Sequence, residues 1–351
     1  MHVPDGFINA PTSAVAGVVA AGAIAVSLRG ARRELDERTA PLAGLVAAFI
    51  FAVQMLNFPV AAGTSGHLLG GALAAILVGP CTGALCLSVV LLMQGILFAD
   101  GGLTALGVNI TDMSVVGVGV AYLVFRGLVK LLPRTRRSIT TASFVAALVS
   151  VPAAALAFTA FYAIGGTTDV PIGKVATAMV GVHVLIGVGE AVITALTVGA
   201  VVAVRPDLVH GARDLRRPLK LRVGGEFVDV PAAEAPAPAP RTSHRTLLLG
   251  GLATSLVLAG VVSFYASASP DGLEKVAEDK GFAESAEEHH NADSPLADYG
   301  VKDVDNARIS GGLAGVIGVG VTVVAGSAVF WAVRRRRTDA TDGVSPTSTS
   351  V

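Results

Sequence analysis

The first two residues of the chain carry nitrogen donors that could bind a transition metal ion. The terminal amine of Met1, the amide nitrogen of His2 and the imidazole Nδ1 of His2 can bind one ion through fused five- and six-membered chelate rings. A further imidazole would complete a square of four nitrogens, which suits Ni(II) or Cu(II) and can suit Co(II). The start of the chain lacks the basic region and cleavage site of a secretory signal, and His at position 2 generally blocks removal of Met1. We therefore expect the amine to be retained.

Taken alone, His2 could instead be an ordinary surface residue on a frayed terminus. Two features favour a metal site. The Pro-Asp-Gly sequence at 4–6 predicts a tight turn that folds the terminus back. A second histidine, His67, also lies at a turn between apolar segments, at the end of the sequence Thr-Ser-Gly-His.

Two ionisable residues, His183 and Glu190, lie seven positions apart in an apolar segment, so a helix places both on roughly the same face. Ionisable groups at membrane depth are costly and are therefore candidates for function. They could act in coupling or as a proton relay, or they could form a hydrogen-bonded pair that packs one helix against its neighbours. The polar side chains that could orient His67 or act in coupling are Gln54, Asn57 and Ser65.

The composition indicates that these residues lie in a membrane protein. Of the 351 residues, 52% are hydrophobic and 15% are charged, and the mean hydropathy is +0.67, which is outside the range of soluble globular chains. The sequence predicts an all-α polytopic fold with about seven spans in a first module and two in a second. Because a bilayer needs about 20 residues per span, we divide the apolar run 67–98 at Gly79-Pro80. The predicted spans are 11–28, 41–61, 67–78, 81–98, 107–125, 139–164, 174–204, 246–266 and 311–333.

The distribution of basic residues predicts the orientation in the membrane. Short loops rich in Lys and Arg stay in the cytoplasm, and such loops follow the first, fifth and seventh spans. Four consecutive arginines, 334–337, follow the ninth span. This pattern places the N-terminus outside and the C-terminus in the cytoplasm of a multi-pass protein of the cell membrane.

Composition shifts along the chain divide it into four parts. We predict a seven-span domain at 1–222, an Ala/Pro-rich cytoplasmic linker at 223–245, and a two-span module with an external acidic loop at 246–337. The polar segment 338–351 is predicted to be a disordered tail.

Several functional classes lack their motifs in this sequence. There is no Gly-x-x-x-x-Gly-Lys-Ser/Thr loop, so the chain cannot energise transport with ATP by itself. There is also no His-Glu-x-x-His and no Gly-x-Ser-x-Gly sequence. We expect neither an enzyme nor a nucleic-acid-binding protein.

Four strings in the first 205 residues together resemble the CbiM/NikM family, the metal-capturing membrane components of energy-coupling-factor (ECF) transporters for cobalt and nickel. They are MHVPDGF, QMLNFPVAAGTSGHLLGGALAAILVGP, FADGGLTALGVNI and GVHVLIGVGEAVITAL. Separately, the sequence Ser-Pro-Asp-Gly-Leu-Glu at 269–274 resembles the PDGLE module, which is related to the small CbiN/NikN auxiliary subunit. The chain is similar to a fusion of the two.

The resemblance implies a ligand set and partners. The metal would be held by the Met1 amine, the amide and imidazole nitrogens of His2, and the His67 imidazole. Co(II) or Ni(II) would be the transported ligand rather than a resident cofactor, supplied to cobalamin synthesis or to nickel enzymes. The expected partners are an ECF transmembrane coupling protein and cytoplasmic ATPase subunits. Four nitrogen donors suit both ions, so the sequence does not decide between cobalt and nickel.

Two other functions remain open at this stage. One is a proton-coupled secondary metal transporter that uses His183 and Glu190 as its relay and needs no ATPase. The other is a membrane scaffold or sensor in which the metal is structural.

Overall fold

The structure is a computed structural model that describes residues 1–36, 39–61, 63–215, 220–223, 226–229 and 244–342. Its α-helices, within these residues, are α1 (Ala10–Glu34), α2 (Thr39–Gln54), α3 (Gly71–Val78), α4 (Pro80–Leu97), α5 (Leu106–Asn109), α6 (Gly117–Leu131), α7 (Arg136–Gly165), α8 (Ile172–Val204), α9 (His244–Gly260), α10 (Gly272–Lys280) and α11 (Ala307–Asp342). A π-helical segment, Ile110–Val116, joins α5 to α6. The strands form two antiparallel hairpins, β1 (Phe58–Ala61) with β2 (Thr64–Gly66) and β3 (Lys220–Val223) with β4 (Glu226–Asp229).

In the described part of the chain, seven helical segments are long and apolar enough to cross a membrane. They are α1, α4, the combined segment Leu106–Leu131, α7, α8, Arg245–Tyr265 and Ala307–Arg335. This confirms the predicted helical, multi-pass membrane protein, to which the two hairpins add only short strands. The orientation of the termini stays a prediction.

Two of the nine predicted spans are shorter than expected. The helix α2 ends at Gln54, whereas the prediction extended it to 61, and the third helix begins only at Gly71. Proline removes a backbone donor and disfavours helical backbone in the residue before it. Pro59 therefore lies in β1, and the chain turns back through β2 towards His67.

The predicted break between the third and fourth spans is confirmed. Gly79 separates α3 from α4 with a φ of +103°, a conformation that favours glycine. Pro80 is the first residue of α4, where the missing N–H costs nothing because no intrahelical acceptor exists for it.

The helices α9 and α11 of the second module pack against α2 of the first module. A side chain at Gly44 would overlap Ser327, and one at Gly318 would overlap the ring of Phe51. Small residues at these positions allow helix backbones to approach closely without a water-driven hydrophobic force. The two modules therefore share one helical interface in addition to the contacts between their loops.

The loops that carry the candidate ligands meet at one end of the helices. Thr167, after α7, donates from its hydroxyl to the carbonyl of Gly6 at 2.7 Å. Glu287, in the loop between α10 and α11, donates from its amide to the carbonyl of Asp5 at 2.9 Å. The first nine residues are therefore enclosed by loops from both modules.

Most of the predicted linker, 223–245, lies outside the described residues. The described parts are the end of β3, the strand β4 and the beginning of α9. The helix α11 continues to Asp342, past the predicted end of the module at 337. The four arginines at 334–337 are good helix formers and lie immediately before this extension.

Candidate metal centre

The N-terminal turn is fixed by the loop and helix that follow α4. Asp5 accepts hydrogen bonds from the amide and hydroxyl of Thr104 at 2.8 and 2.5 Å. The backbone of Val3 donates to and accepts from the side chain of Asn109, at 2.7 and 3.1 Å. Gly6 has a φ of +88°, as a tight turn at 4–6 requires. The predicted folding back of the terminus is confirmed.

The segment that carries His67 is held from two sides. Gln54 at the end of α2 donates from Nε2 to the carbonyl of Leu69 at 2.9 Å. Glu190 on α8 accepts from the amides of Leu69 and Gly70 at 2.6 and 3.1 Å. These bonds fix the backbone beside His67, and neither Gln54 nor Glu190 bonds the His67 ring itself.

The terminal amine of Met1 meets the imidazole of His67. The His67 Nδ1 lies 3.1 Å from the carbonyl of Leu68, which can only accept, so Nδ1 carries the proton. The Nε2 lone pair is then left to accept from the Met1 ammonium at 2.8 Å. The His2 ring stacks on the His67 ring, with centroids 5.1 Å apart and planes 19° apart. The structure thus brings together the three residues predicted to bind metal.

The His2 imidazole is directed at two polar side chains that the sequence did not suggest. Its Nδ1 lies 3.2 Å from Asp100 Oδ1, and its Nε2 lies 3.2 Å from Gln94 Oε1. Burial lowers the pKa of His2 to about 4, against the opposing effect of Asp100, so the ring carries one proton at neutral pH. The neutral ring has two tautomers: a proton on Nδ1 is donated to Asp100, whereas a proton on Nε2 is donated to Gln94 and leaves the Nδ1 lone pair available to a metal.

Tyr299 of the second module completes this hydrogen-bond network. Its hydroxyl donates to Asp100 Oδ2 at 2.6 Å and accepts from Gln94 Nε2 at 2.9 Å. Its ring stacks on Phe98 with centroids 4.9 Å apart. Burial and the Asp100 carboxylate raise the pKa of Tyr299 well above its usual range, so the hydroxyl keeps its proton.

Asp271 of the second module reaches the candidate ligands directly. Its Oδ1 caps α10 by accepting from the amides of Leu273 and Glu274 at 2.8 and 2.9 Å. Its Oδ2 lies 2.7 Å from the Met1 nitrogen and 3.7 Å from His67 Nε2. Burial acts to raise the pKa of Asp271, but the terminal ammonium beside it holds that pKa well below its usual range.

The segment that carries Asp271 is docked by backbone contacts with the first hairpin. Ser65 in β2 donates from its amide to the carbonyl of Pro270 at 2.8 Å and from its hydroxyl to that of Ser269 at 2.7 Å. Ser267 donates from its amide to the carbonyl of Asn57 at 2.7 Å. Ser65 and Asn57 therefore contact the second module, and neither bonds the His67 ring.

His183 and Glu190 are both fully buried, but they have different partners. His183 Nδ1 bonds the carbonyl of Met179 at 2.7 Å, one turn earlier in α8. No hydrogen bond among the described residues joins His183 to Glu190. A side chain at Gly272, the first residue of α10, would lie 3.1 Å from the His183 ring. His183 thus packs beneath the docked segment and outside the candidate ligand set.

A cavity of about 580 Å³ opens beside His2 and His67, two of the three candidate ligands. Both modules line it. Its polar lining includes His2, His67, Asp100, Asp271, Glu274 and Asp298. Within the described residues, no three His, Cys, Asp or Glu side chains are grouped closely enough to hold a metal by themselves. A metal bound here would therefore depend on the amine and the backbone amide as well.

Four polar residues of the site were missed by sequence reasoning: Gln94, Asp100, Asp271 and Tyr299. The only local signal was at Asp271, because Asp-Gly-Leu-Glu at 271–274 has the pattern of a helix capping box. That pattern predicts the start of α10, where the capping box is present. It does not predict that the second carboxylate oxygen meets Met1.

Comparison with known proteins identifies the family of the chain. A family model described as the cobalt uptake substrate-specific transmembrane region matches residues 2–208. The chain belongs to this family. A second model, the PDGLE domain, matches residues 245–335. The predicted CbiM/NikM-type membrane protein fused to a PDGLE module is therefore confirmed.

Two relatives of this CbiM-type chain are named as nickel or cobalt transport proteins. A fused nickel transport protein NikMN of Rhodobacter capsulatus is 43% identical over 125 residues, 36% of each chain. A cobalt transport protein CbiM of Sorangium cellulosum is 32% identical over 223 residues, 62% of this chain and 97% of that one. A crystal structure of a truncated transition metal transporter shares a TM-score of 0.52 and 29% identity, covering 58% of this chain and 99% of that one.

Proposed function

We propose that this chain captures Co(II) or Ni(II) as its transported substrate and carries the ion across the membrane as the metal-capturing component of an ECF-type importer. The observation that carries the proposal is the meeting of the Met1 amine, the His2 ring and His67 Nε2 in one buried corner of the fold. The cobalt and nickel transport proteins among the relatives support this class of ion.

The ion would be bound by four nitrogens: the Met1 amine, the His2 amide, His2 Nδ1 and His67 Nε2. Binding replaces the ammonium and amide protons by the ion, and both protons leave to solvent. The His67 tautomer already suits a ligand, because Nδ1 donates to Leu68. His2 has to turn, because its Nδ1 faces Asp100 rather than the amine.

The residues around the ligands would have supporting roles. We assign Gln54 and Glu190 to holding the segment of His67 in place, through the bonds to the backbone beside it. We assign Asn57 and Ser65 to docking the second module, and His183 to packing beneath that module.

The chain would need partners to work as an importer. Its sequence contains no nucleotide-binding loop. We therefore propose a transmembrane coupling protein and cytoplasmic ATPase subunits as partners in the cell membrane, with the metal site on the outer side. Both Co(II) and Ni(II) fit the four nitrogens, and either cobalamin synthesis or a nickel enzyme would consume the ion.

The contacts of the described residues do not favour the proton relay considered above. A relay needs proton exchange between its members, and here Glu190 bonds two backbone amides whereas His183 bonds the carbonyl of Met179. Co-purification with ATPase subunits would separate the importer from a secondary transporter.

The central test is metal binding by the purified full chain. We expect His67→Ala to reduce bound Co(II) and Ni(II) to near background after dialysis, because it removes one of four ligands. The matched control is His290→Ala, which removes an exposed histidine from the same end of the fold and should leave binding unchanged. Equal binding by both variants would rule out the proposed site.

A further inference from the structure

Beside the cavity, the carboxylate side chains are more exposed than the residues that carry the nitrogen ligands. The Asp100 side chain is 27% exposed and that of Asp271 is 12% exposed. The imidazoles of His2 and His67 are 7% and 6% exposed, and Met1 is fully buried. An ion that arrives from the cavity therefore meets carboxylate oxygen before it meets the amine.

Of these carboxylates, Asp271 is the one that contacts two candidate ligands. Its Oδ2 is 2.7 Å from the Met1 nitrogen and 3.7 Å from His67 Nε2. The other oxygen, Oδ1, is engaged by the first turn of α10, which fixes the orientation of the carboxylate. Asp100, by contrast, contacts His2 and is bonded on its other oxygen by Tyr299.

Carboxylate oxygens and the four nitrogens differ in how readily they can bind an incoming ion. Hydrated divalent ions exchange water readily for a carboxylate oxygen, which is already deprotonated. The four-nitrogen square forms only when the amine and the His2 amide have lost their protons. A metal ion bound to a carboxylate oxygen close to these nitrogens can remain there until the amine and the His2 amide have lost their protons.

We propose that Asp271 is the receiving ligand of the site: it binds the incoming Co(II) or Ni(II) through Oδ2 and transfers it to the Met1 amine and His67 Nε2. This inference rests on the proposed function. In the transfer, the metal–oxygen bond is replaced by metal–nitrogen bonds, and the protons of the amine and amide leave to solvent. The PDGLE module thereby supplies a ligand for loading that the final square does not contain.

The capping role of Asp271 can be separated from its charge. Asparagine caps helices about as well as aspartate, so Asp271→Asn keeps α10 but removes the negative oxygen. The matched control is Glu274→Gln, which keeps the capping box and changes a carboxylate of the same cavity that contacts neither Met1 nor His67. Melting temperatures of both variants show whether the fold is kept.

The experiment is stopped-flow loading of the purified, chelator-stripped full chain with Co(II), followed by absorbance, with the final stoichiometry from metal analysis. We expect Asp271→Asn to slow loading by about tenfold or more, as for loss of charge from a cation-focusing cleft, with the final stoichiometry kept. Glu274→Gln should load at nearly the wild-type rate.

Three results would overturn the inference. A wild-type rate in Asp271→Asn would make Asp271 only a helix cap, and a faster rate would make it a competitor of the metal for the amine. A lost final stoichiometry would make Asp271 a permanent ligand. Failure of the proposed function looks different, because the wild-type chain would then bind no Co(II) or the His67→Ala variant would bind it fully.

Discussion

The candidate metal centre has two unlike walls. The nitrogen wall consists of Met1, His2 and His67, which all belong to the first module and are almost completely buried. The oxygen wall consists of Asp271 and Tyr299 of the PDGLE module together with Asp100, and its carboxylates are more exposed. We infer from this difference that the oxygen wall binds the incoming ion first and that the nitrogen wall retains it.

The largest expected effect comes from changing the nitrogen wall at its amine. Adding four alanines before Met1 turns the Met1 nitrogen into a peptide amide and moves the free amine too far from His2 to share a chelate with it, and the extra residues have no space in the buried corner. We expect bound Co(II) or Ni(II) to fall to near background in metal analysis of the purified chain. The control adds the same four alanines after Val351. Full binding by the N-terminally extended chain would show that the amine is not a ligand.

A smaller loss is expected when the support of the nitrogen wall is weakened. In Glu190→Gln, the amide NH₂ cannot accept from Leu69 or Gly70, so one of the two bonds that Glu190 makes to the His67 segment is lost. Outer hydrogen-bond partners of ligands typically contribute roughly 10–100-fold in metal affinity, and we expect a loss in this range by competition titration with a chelator.

The control variant for Glu190→Gln changes another residue of α8. Thr194→Val removes a buried hydroxyl that has no hydrogen-bond partner among the described residues, with little change in shape. We expect its metal affinity to equal that of the wild type. Similar affinities for the Glu190 and Thr194 variants would mean that the His67 segment is held mainly by its other contacts.

Weaker effects are expected on the oxygen wall outside Asp271. Tyr299→Phe keeps the stacking on Phe98 but removes the hydroxyl that donates to Asp100. Asp100 would then hold His2 Nδ1 more strongly, which opposes the turn that metal binding requires. One such bond contributes about 1 kcal/mol, so we expect roughly fivefold weaker binding in the same titration. Tighter binding would show that Tyr299 does not act through His2.

The smallest effect is expected for the two adjacent histidines of the acidic loop. His289 contacts the carbonyl of Gly101, and His290 is exposed. Surface substitutions usually change free energies by about 0.5 kcal/mol or less. We expect the double variant His289→Ala, His290→Ala to load Co(II) within about twofold of the wild-type rate, which follows from the same limit. Slowing comparable to that of Asp271→Asn would mean that this histidine pair also captures the ion.

The nitrogen wall was predictable because its chemistry lies in two adjacent residues and a recognisable string around His67. The helices followed from apolar segments and from Gly79-Pro80, which ends one helix and begins the next. The short α2 was not predictable from hydropathy, because a short strand such as β1 can be as apolar as a helix.

The oxygen wall could not be predicted, because its residues lie far apart in sequence. Asp271 meets Met1 across 270 positions, and Tyr299 meets Asp100 across 199. Polar loop residues have no periodic pattern, and the capping box specifies how α10 begins but not what it touches. The spacing of His183 and Glu190 correctly suggested burial, but each has a partner that depends on tertiary packing.

The way in which the PDGLE segment docks has a consequence for how such proteins diversify. Residues 267–270 meet the first hairpin mainly through main-chain atoms, at Asn57 and at Ser65. Main-chain recognition of this kind places few demands on side-chain identity. The side chains of residues 267–269 should therefore tolerate substitution more readily than Asp271 and Tyr299, whose side chains themselves contact the first module.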